Sequence, residues 1–309
     1  MRIVSLLPSA TEIVCALGLG DELVGVTHEC EWPPEVAGKP VVTRDTHDLG
    51  ELPSREIHAL VTAAMHGGSS LYALDDEKLE ALEPDLILTQ ELCHVCAVSY
   101  REVNEVARRI DADISVVSLE PTSIEGILNT ITTVGAMAEV EDDALDLVET
   151  LRSRLGAVEE VVTARRDAGH MGPRVVAVEW LDPPFAVGHW VPEQIRRAGG
   201  WDLLGRDGDK AVETTWDAVR EVDPETLVLM PCGYHLPETV TEWDRTPRPA
   251  WFPDLSAVSR GQVFAVDGSA YFSRPGPRVI DGIELLAELF DPDAFVDSAP
   301  PASWTPVEG

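Results

Sequence analysis

The chain has 309 residues, 44% of them hydrophobic, with 55 acidic against 23 basic side chains and a formal charge of −32. That is enough chain for two domains, each with a full core. The charge excludes a nucleic-acid role, which needs a basic footprint, and no run approaches the roughly 18 apolar residues of a membrane span.

The first predicted strand, Arg2 to Leu6, leads into Pro8-Ser9-Ala10-Thr11-Glu12, where Ser9 and Glu12 have capping-box spacing before Ile13, Val14, Ala16 and Leu17. Gly18 and Gly20 stop that helix. Short strands are expected at Leu23 to Val26 and Val41 to Thr43, and helical spacing returns at Ile57, Leu60, Val61 and Ala64. Leu79, Leu82 and Pro84 close a short helix before a strand at Leu86 to Leu88. A helix from Ser99 to Ile110, a strand from Ile114 to Ser118 and a helix through Ile124, Leu128, Ile131 and Val134 follow. Such alternation predicts a parallel sheet with helices on both faces.

Glu141 to Asp167 contains no proline and only Gly156 among glycines, with apolar residues at Ala144, Leu147, Val148, Leu151, Leu155, Val158 and Val162. The spacing predicts one helix of about 40 Å, long enough to join two lobes. Alternation then restarts, with strands at Val175 to Val178, Leu227 to Leu229 and Val263 to Val266. Helices are expected at Pro192 to Ala198, Thr215 to Glu221 and Pro277 to Phe290. The expected fold class is therefore α/β, as two lobes with mostly parallel sheets joined by one long helix. The expected divisions are an N-terminal lobe at 1–138, the connecting helix at 139–170, a C-terminal lobe at 171–290 and a loose acidic, proline-rich tail at 291–309.

Four of five cysteines fall just past predicted strands: Cys30, Cys93, Cys96 and Cys232. Ligands bind beyond the carboxyl ends of strands in open parallel sheets, and thiolates suit zinc or an iron–sulfur cluster. The alternative is four independent small core residues. His28 and His94, which flank these thiols, are weaker candidates to complete a metal shell. Met1 to Leu7 runs straight into a strand pattern, and Pro8 and Glu12 interrupt it before an apolar leader can form. With an odd number of cysteines, this reads as a cytosolic chain in a reduced compartment.

Two α/β lobes joined by a long helix resemble the class III substrate-binding proteins, which serve vitamin B12, haem and iron-siderophore ABC transporters. Arg2-Ile3-Val4-Ser5-Leu6-Leu7-Pro8-Ser9-Ala10-Thr11-Glu12-Ile13 and Leu17-Gly18-Leu19-Gly20-Asp21-Glu22-Leu23-Val24-Gly25-Val26 are similar to that family's opening segments. Glu80-Ala81-Leu82-Glu83-Pro84-Asp85-Leu86-Ile87 and Glu221-Val222-Asp223-Pro224-Glu225-Thr226-Leu227-Val228 resemble its helix-to-strand joints. The branch labelled cobalamin-binding is resembled through His28-Glu29-Cys30-Glu31-Trp32-Pro33-Pro34, Glu179-Trp180-Leu181-Asp182-Pro183-Pro184-Phe185, Gly188-His189-Trp190 and Tyr271-Phe272-Ser273-Arg274-Pro275-Gly276-Pro277. The resemblance implies a clamshell that closes on a corrinoid, such as cobalamin, or another metal chelate, with an ABC transporter permease as partner.

Read as residues, Trp180 and Phe185 with two prolines make a stiff apolar wall tipped by Glu179 and Asp182. Gly188 permits close backbone approach, while His189 and Trp190 open the next helix. Tyr271 and Arg274 follow the last predicted strand, Arg274 as a clamp for phosphate or carboxylate. Tyr72 follows a glycine-rich loop and is a candidate from the first lobe. Interlobe packing, ion pairing or a helix start would explain the same residues without a ligand. No nucleophile, base and orienter combination or phosphate loop is visible, so an enzyme is not expected. The competing reading is a cytosolic metalloprotein that holds zinc or an iron–sulfur cluster through the four strand-end thiols.

The acid is spread along the whole chain, as in surfaces adapted to high salt. At 1 M salt, repulsion is screened to about 3 Å. The thermal midpoint is therefore expected to rise with potassium chloride towards molar concentration; a midpoint that stays constant would contradict this reading.

Overall fold

The computed structural model describes residues 1–46, 52–67, 72–90, 100–110 and 113–309. Internal contacts divide the chain into one unit of Met1–Pro121 with Gly126–Glu149, and a second of Thr122–Glu125 with Thr150–Gly309.

In the first unit, β1 (Ile3–Ser5), β2 (Leu23–Gly25), β5 (Leu86–Thr89) and β6 (Ser115–Ser118) form a parallel sheet in the order β2-β1-β5-β6. β3 (Thr43–Asp45) and β4 (Tyr72–Leu74) pair antiparallel beside it; β3 begins at the end of the strand expected at Val41 to Thr43, whereas β4 was not signalled by the apolar pattern. The helices are α1 (Pro8–Ala16), α2 (Ser54–Gly67), α3 (Asp76–Ala81), α4 (Tyr100–Ile110) and α5 (Ile124–Met137). Val4, Leu6, Val42, Leu79, Ile87, Val103 and Val106 form one core cluster. The expected capping box is absent. Helix α1 starts at Pro8, whose missing N–H costs nothing in a first turn, and Ser9 and Glu12 lie buried inside the helix.

Helix α6 (Glu141–Asp167) has the predicted bounds and belongs in part to each unit. Ala144, Val148, Leu151, Leu155, Val158 and Val162 are its buried face. Helix α6 packs tightly on Gly135 of α5: a Cβ there would overlap Ala144 Cβ and press on the Val140 carbonyl.

The second unit is built on β7 (Arg174–Leu181), β11 (Thr226–Leu229) and β12 (Val263–Val266), which are parallel neighbours. Around them lie β8 (Pro184–Ala186), β9 (Trp201–Asp202), β10 (Val212–Glu213) and β13 (Trp304–Pro306). The strand order is β10-β8-β7-β11-β12-β13, with β9 also on β7. Its helices include α7 (Val191–Arg197), α8 (Trp216–Val222), α9 (Leu236–Arg245), α10 (Ser256–Ser259), α11 (Gly268–Tyr271) and α12 (Val279–Phe290). Trp216, Trp243 and Phe252 meet with ring centroids 5.4–5.8 Å apart in its core.

The terminal segment is not a loose tail. β13 adds to β12 antiparallel, Trp304 packs edge-on to Phe264, and Trp243 Nε1 donates to the Glu308 carbonyl at 2.8 Å. Acidic, proline-rich composition concealed one short apolar strand that covers a sheet edge. Arginines pin α6 to the rest of this unit. Arg154 pairs with Asp281 and Glu284 of α12, and Arg165 holds Asp291 through two bonds of 2.6 and 3.0 Å. The two carboxylates hold Arg154 firmly protonated against the opposing effect of burial.

Between β9 and β10 the chain turns on Asp202, which accepts from Leu204 N at 3.3 Å and Gly205 N at 2.9 Å. Burial pushes this carboxyl up to about 6, although those N–H groups favour its charged form. A raised carboxyl stabilises the fold fully below its unfolded value of about 4, and that contribution is lost as pH rises through about 6. The wild type should therefore lose stability relative to Asp202→Asn by about 1–2 kcal/mol between pH 4.5 and 7.5. A stability difference that is constant with pH in urea titrations would exclude this. Gly135→Ala should lower stability by about 1–3 kcal/mol through overpacking, against the gain that alanine brings to an open helix; an unchanged or higher melting midpoint would contradict the close α5–α6 contact.

Candidate functional site

Parallel pairing of β7, β11 and β12 delivers three chain segments to one edge of the second unit's sheet. Strand β7 runs further than its pattern suggested, so Glu179 and Trp180 are the two residues before its last, not a loop after it. Beyond β11, Met230 N bonds Val178 O at 3.0 Å and Cys232 N bonds Glu179 O at 2.9 Å, which carries the pairing past the strand end. Beyond β12, Ser269 N bonds Tyr234 O at 2.9 Å. Gly268 makes this possible, because a Cβ there would overlap the Pro231 carbonyl and the Met230 backbone.

An aromatic wall results. Half-buried Trp180 lies 5.7 Å from Tyr234, ring to ring, in a tilted arrangement. Phe185, half-buried, sits on β8 opposite Glu213 of β10. Behind the wall, Gly188 N donates to Glu179 Oε2 at 3.2 Å. The backbone of His189 is gripped by the β9–β10 loop: its N–H reaches Asp209 O at 2.6 Å, and its carbonyl receives Gly208 N at 2.8 Å. This grip holds His189 at φ +52°, a left-handed conformation rare outside glycine.

The His189 ring stacks beside Trp190 at 5.8 Å. Burial, and then the charge of Lys210, lower its pKa and favour the neutral imidazole. Its Nδ1, the indole Nε1 of Trp190 and Oε1 of Gln194 are buried without hydrogen-bond partners among the described residues. Trp190 is only 6% exposed, so its N–H is an enclosed donor. Gln194 Nε2 donates to Tyr271 O and Val279 O, which ties α7 to the segment that carries Tyr271 and Arg274. The Arg278 guanidinium lies 5.7 Å from the Tyr271 ring centre, and Arg274 is buried.

Sequence reasoning missed Tyr234, His235 and Asp267 on this edge. His235 Nδ1 lies 2.9 Å from Asp267 Oδ2. The strand-end argument that selected Cys232 could have found His235, three residues later; Asp267 carries no local signal, since β12 brings it there only through sheet pairing.

In the first unit, Tyr72 is a residue of β4 rather than a loop or helix start, and its ring lies 4.9 Å from His28. His28 Nδ1 is 2.8 Å from Thr43 Oγ1. Cys30 Sγ lies 3.0 Å from Thr11 Oγ1 and 3.1 Å from Thr27 Oγ1. Cys232, in the second unit, is exposed. Cys93, Cys96 and His94 lie outside the described residues. Among the described residues, no three His, Cys, Asp or Glu side chains gather as a metal site, so the four-thiol centre gains no support. A depression lined by Arg165, His170, Met171 and Phe290 sits near the start of β7, away from the strand ends.

The chain is 27% identical over 300 residues to the uncharacterized ABC transporter substrate-binding lipoprotein YvrC of Bacillus subtilis, covering 95% of this chain and 81% of that protein. Its fold matches the periplasmic vitamin B12 binding protein BtuF of Vibrio cholerae, with a TM-score of 0.64, 22% identity, and 93% and 95% of the two chains covered. It also matches a periplasmic heme binding protein from Pseudomonas aeruginosa, with a TM-score of 0.71, 19% identity, and 100% and 99% covered. At these identities the solved structures establish the fold alone. These findings correct the cytosolic location expected from the sequence: a lipoprotein relative and periplasmic neighbours point to an extracytoplasmic setting. The model for the periplasmic binding protein family matches residues 3–270, and with 268 of 309 residues so matched the chain belongs to that family.

Proposed function

We propose that this protein is the substrate-binding component of an ABC transporter and carries a flat metal chelate, foremost a corrinoid such as cobalamin. The observation that supports the reading is the strand-end region of the second unit, which carries the Trp180–Tyr234 aromatic pair and, in the segment after β8, enclosed polar atoms of His189, Trp190 and Gln194 without a partner among the described residues. Large planar ligands are held by such walls, with a few placed polar groups for orientation. In this reading Trp180, Phe185 and Tyr271 supply apolar contact. The Trp190 N–H and the neutral His189 imidazole address ligand acceptors, donors or the metal itself. Glu179 fixes the Gly188 turn, and buried Arg274 offers charge to a phosphate or carboxylate. The relatives named for vitamin B12 and heme support this ligand class, and a permease is the expected partner. The protein delivers its ligand unchanged and catalyses nothing.

The experiment is a titration of purified protein with cyanocobalamin, haemin and a ferric hydroxamate, followed by tryptophan fluorescence. Cyanocobalamin should saturate at one equivalent. Trp180→Ala and Tyr271→Ala should each weaken it by about 30-fold, the equivalent of roughly 2 kcal/mol for a buried anchor. Saturation by haemin alone would replace the corrinoid within the same flat class, whereas saturation by the hydroxamate alone would overturn the flat-ligand reading. Binding of none of the three, or wild-type affinity in both variants, would overturn the proposal.

A further inference from the structure

The connector between β8 and α7, residues 187–190, carries His189 and Trp190, and the β9–β10 loop, residues 203–211, lies along its whole length. At one end a Cβ on Gly205 would overlap the Val187 carbonyl and Asp202 Oδ2 and press on Pro192 Cγ. In the middle, Gly208 N donates to His189 O at 2.8 Å and His189 N donates to Asp209 O at 2.6 Å. At the other end a Cβ on Gly188 would overlap Ala211 N, Asp209 O and the Lys210 carbonyl carbon. Two main chains approach this closely only where glycine leaves room, once on each side of the contact.

The loop is itself fastened at both ends. Asp202 accepts from Leu204 N and Gly205 N where the loop leaves β9. Where it ends, β10 pairs with β8, Val212 opposite Ala186 and Glu213 opposite Phe185. Asp207 also pairs with Arg196 of α7, but both are exposed, so that pair adds little.

The grip holds His189 at φ +52°. A histidine stays in this region only where its surroundings over-determine it, and such residues cluster at functional sites. The ring gains no hydrogen bond at Nδ1 in return: that atom is buried without a partner among the described residues. Burial, and then the charge of Lys210 on the loop, lower the pKa of the imidazole. The loop thus fixes the backbone of His189 and also brings up the charge that keeps its ring neutral.

We propose that residues 203–211 form a strap that positions His189 for the ligand and keeps water from its ring, with Gly188 and Gly205 as the positioning residues. The proposal rests on the chelate-binding reading above, in which His189 and Trp190 address the ligand. No covalent bond changes; the strap orders these contacts before the ligand arrives, which lowers what binding must spend on ordering them.

The test compares the wild type with Gly188→Ala and Gly205→Ala, which push the strap off the connector from opposite ends. Gly156→Ala is the control, since a Cβ there meets nothing within 4 Å. Histidine ring protons are followed by NMR against pH, and His189 is assigned by the signal lost in His189→Gln. In the wild type His189 should titrate below an ordinary imidazole. In both strap variants its midpoint should rise towards the ordinary value, because the freed ring regains water. Both variants should also bind cyanocobalamin, or haemin if that is the ligand, about tenfold more weakly. Gly156→Ala should change neither property. A wild-type His189 midpoint in either folded variant, or a raised midpoint with wild-type affinity, would overturn the strap while the binding reading stands. Melting curves establish which variants fold. If neither does, amide hydrogen exchange of the wild type decides: the His189 and Gly208 amides, which donate across the contact, should exchange at least about 100-fold more slowly than unstructured amides, and unprotected exchange would overturn the proposal. If the wild type binds neither cyanocobalamin nor haemin, the chelate-binding reading falls, and the His189 midpoints alone decide the strap.

Discussion

The structure depends above all on the parallel register of β7, β11 and β12, where Val176, Leu227 and Val263 stand side by side. Within these strands Val175 to Val178, Thr226 to Leu229 and Val263 to Val266 are all buried, because helices cover parallel sheets on both faces. Chemistry therefore has no place along the strands and collects where they end. Backbone bonds from Met230 and Cys232 to β7 carry the order one step beyond the sheet. Gly268 then lets the third segment close on the second. Trp180, Tyr234 and Asp267 take their positions from that short stretch of main chain, while His189 is set by the β9–β10 loop.

A second constraint is charge. With a net −32, a carboxylate can rarely find a cation, and 20 of the 23 basic residues are arginine. The planar guanidinium can grip two oxygens at once. Arg165 grips Asp291 in this way, and Arg154 spans Asp281 and Glu284. Arg197 joins Glu159 of α6 to Glu193 of α7, while Glu193 also accepts the backbone N–H of Ile124 at 2.9 Å. These pairs hold helix to helix, so their geometry matters more than their Coulomb energy, which is small at partly exposed sites.

The relatives described as a lipoprotein or as periplasmic bear on how the thiols are read, through the oxidising extracytoplasmic setting of such proteins. Cysteines are commonly oxidised there, yet Cys15, Cys30 and Cys232 form no disulfide. Burial raises the pKa of Cys15, which keeps it as the less nucleophilic thiol. Cys30 sits among the hydroxyls of Thr11 and Thr27, in an environment suited to local packing within the first unit. The strand-end position of Cys232 follows from the parallel topology of β11, whose following segment pairs with β7 through the Cys232 N–H.

The sequence by itself determined what repeats along the chain. The apolar period of α6 set its bounds, and the alternation of β7, β11 and β12 with helices set the α/β class, because both are local patterns that burial on one face or two imposes. It also singled out Trp180, His189 and Trp190, whose aromatic and glycine-flanked context is contiguous. Only the tertiary structure decided what depends on distant partners. Asp267 meets His235 through sheet pairing 32 residues apart, and Trp180 meets Tyr234 in the same way. β13 is stable only because β12 offers it an edge, and the left-handed turn at His189 exists only because Gly208 and Asp209 bond its backbone. Such features have no period and no local composition. Their stability comes from contacts that form once the strands have aligned, so folding itself specifies them.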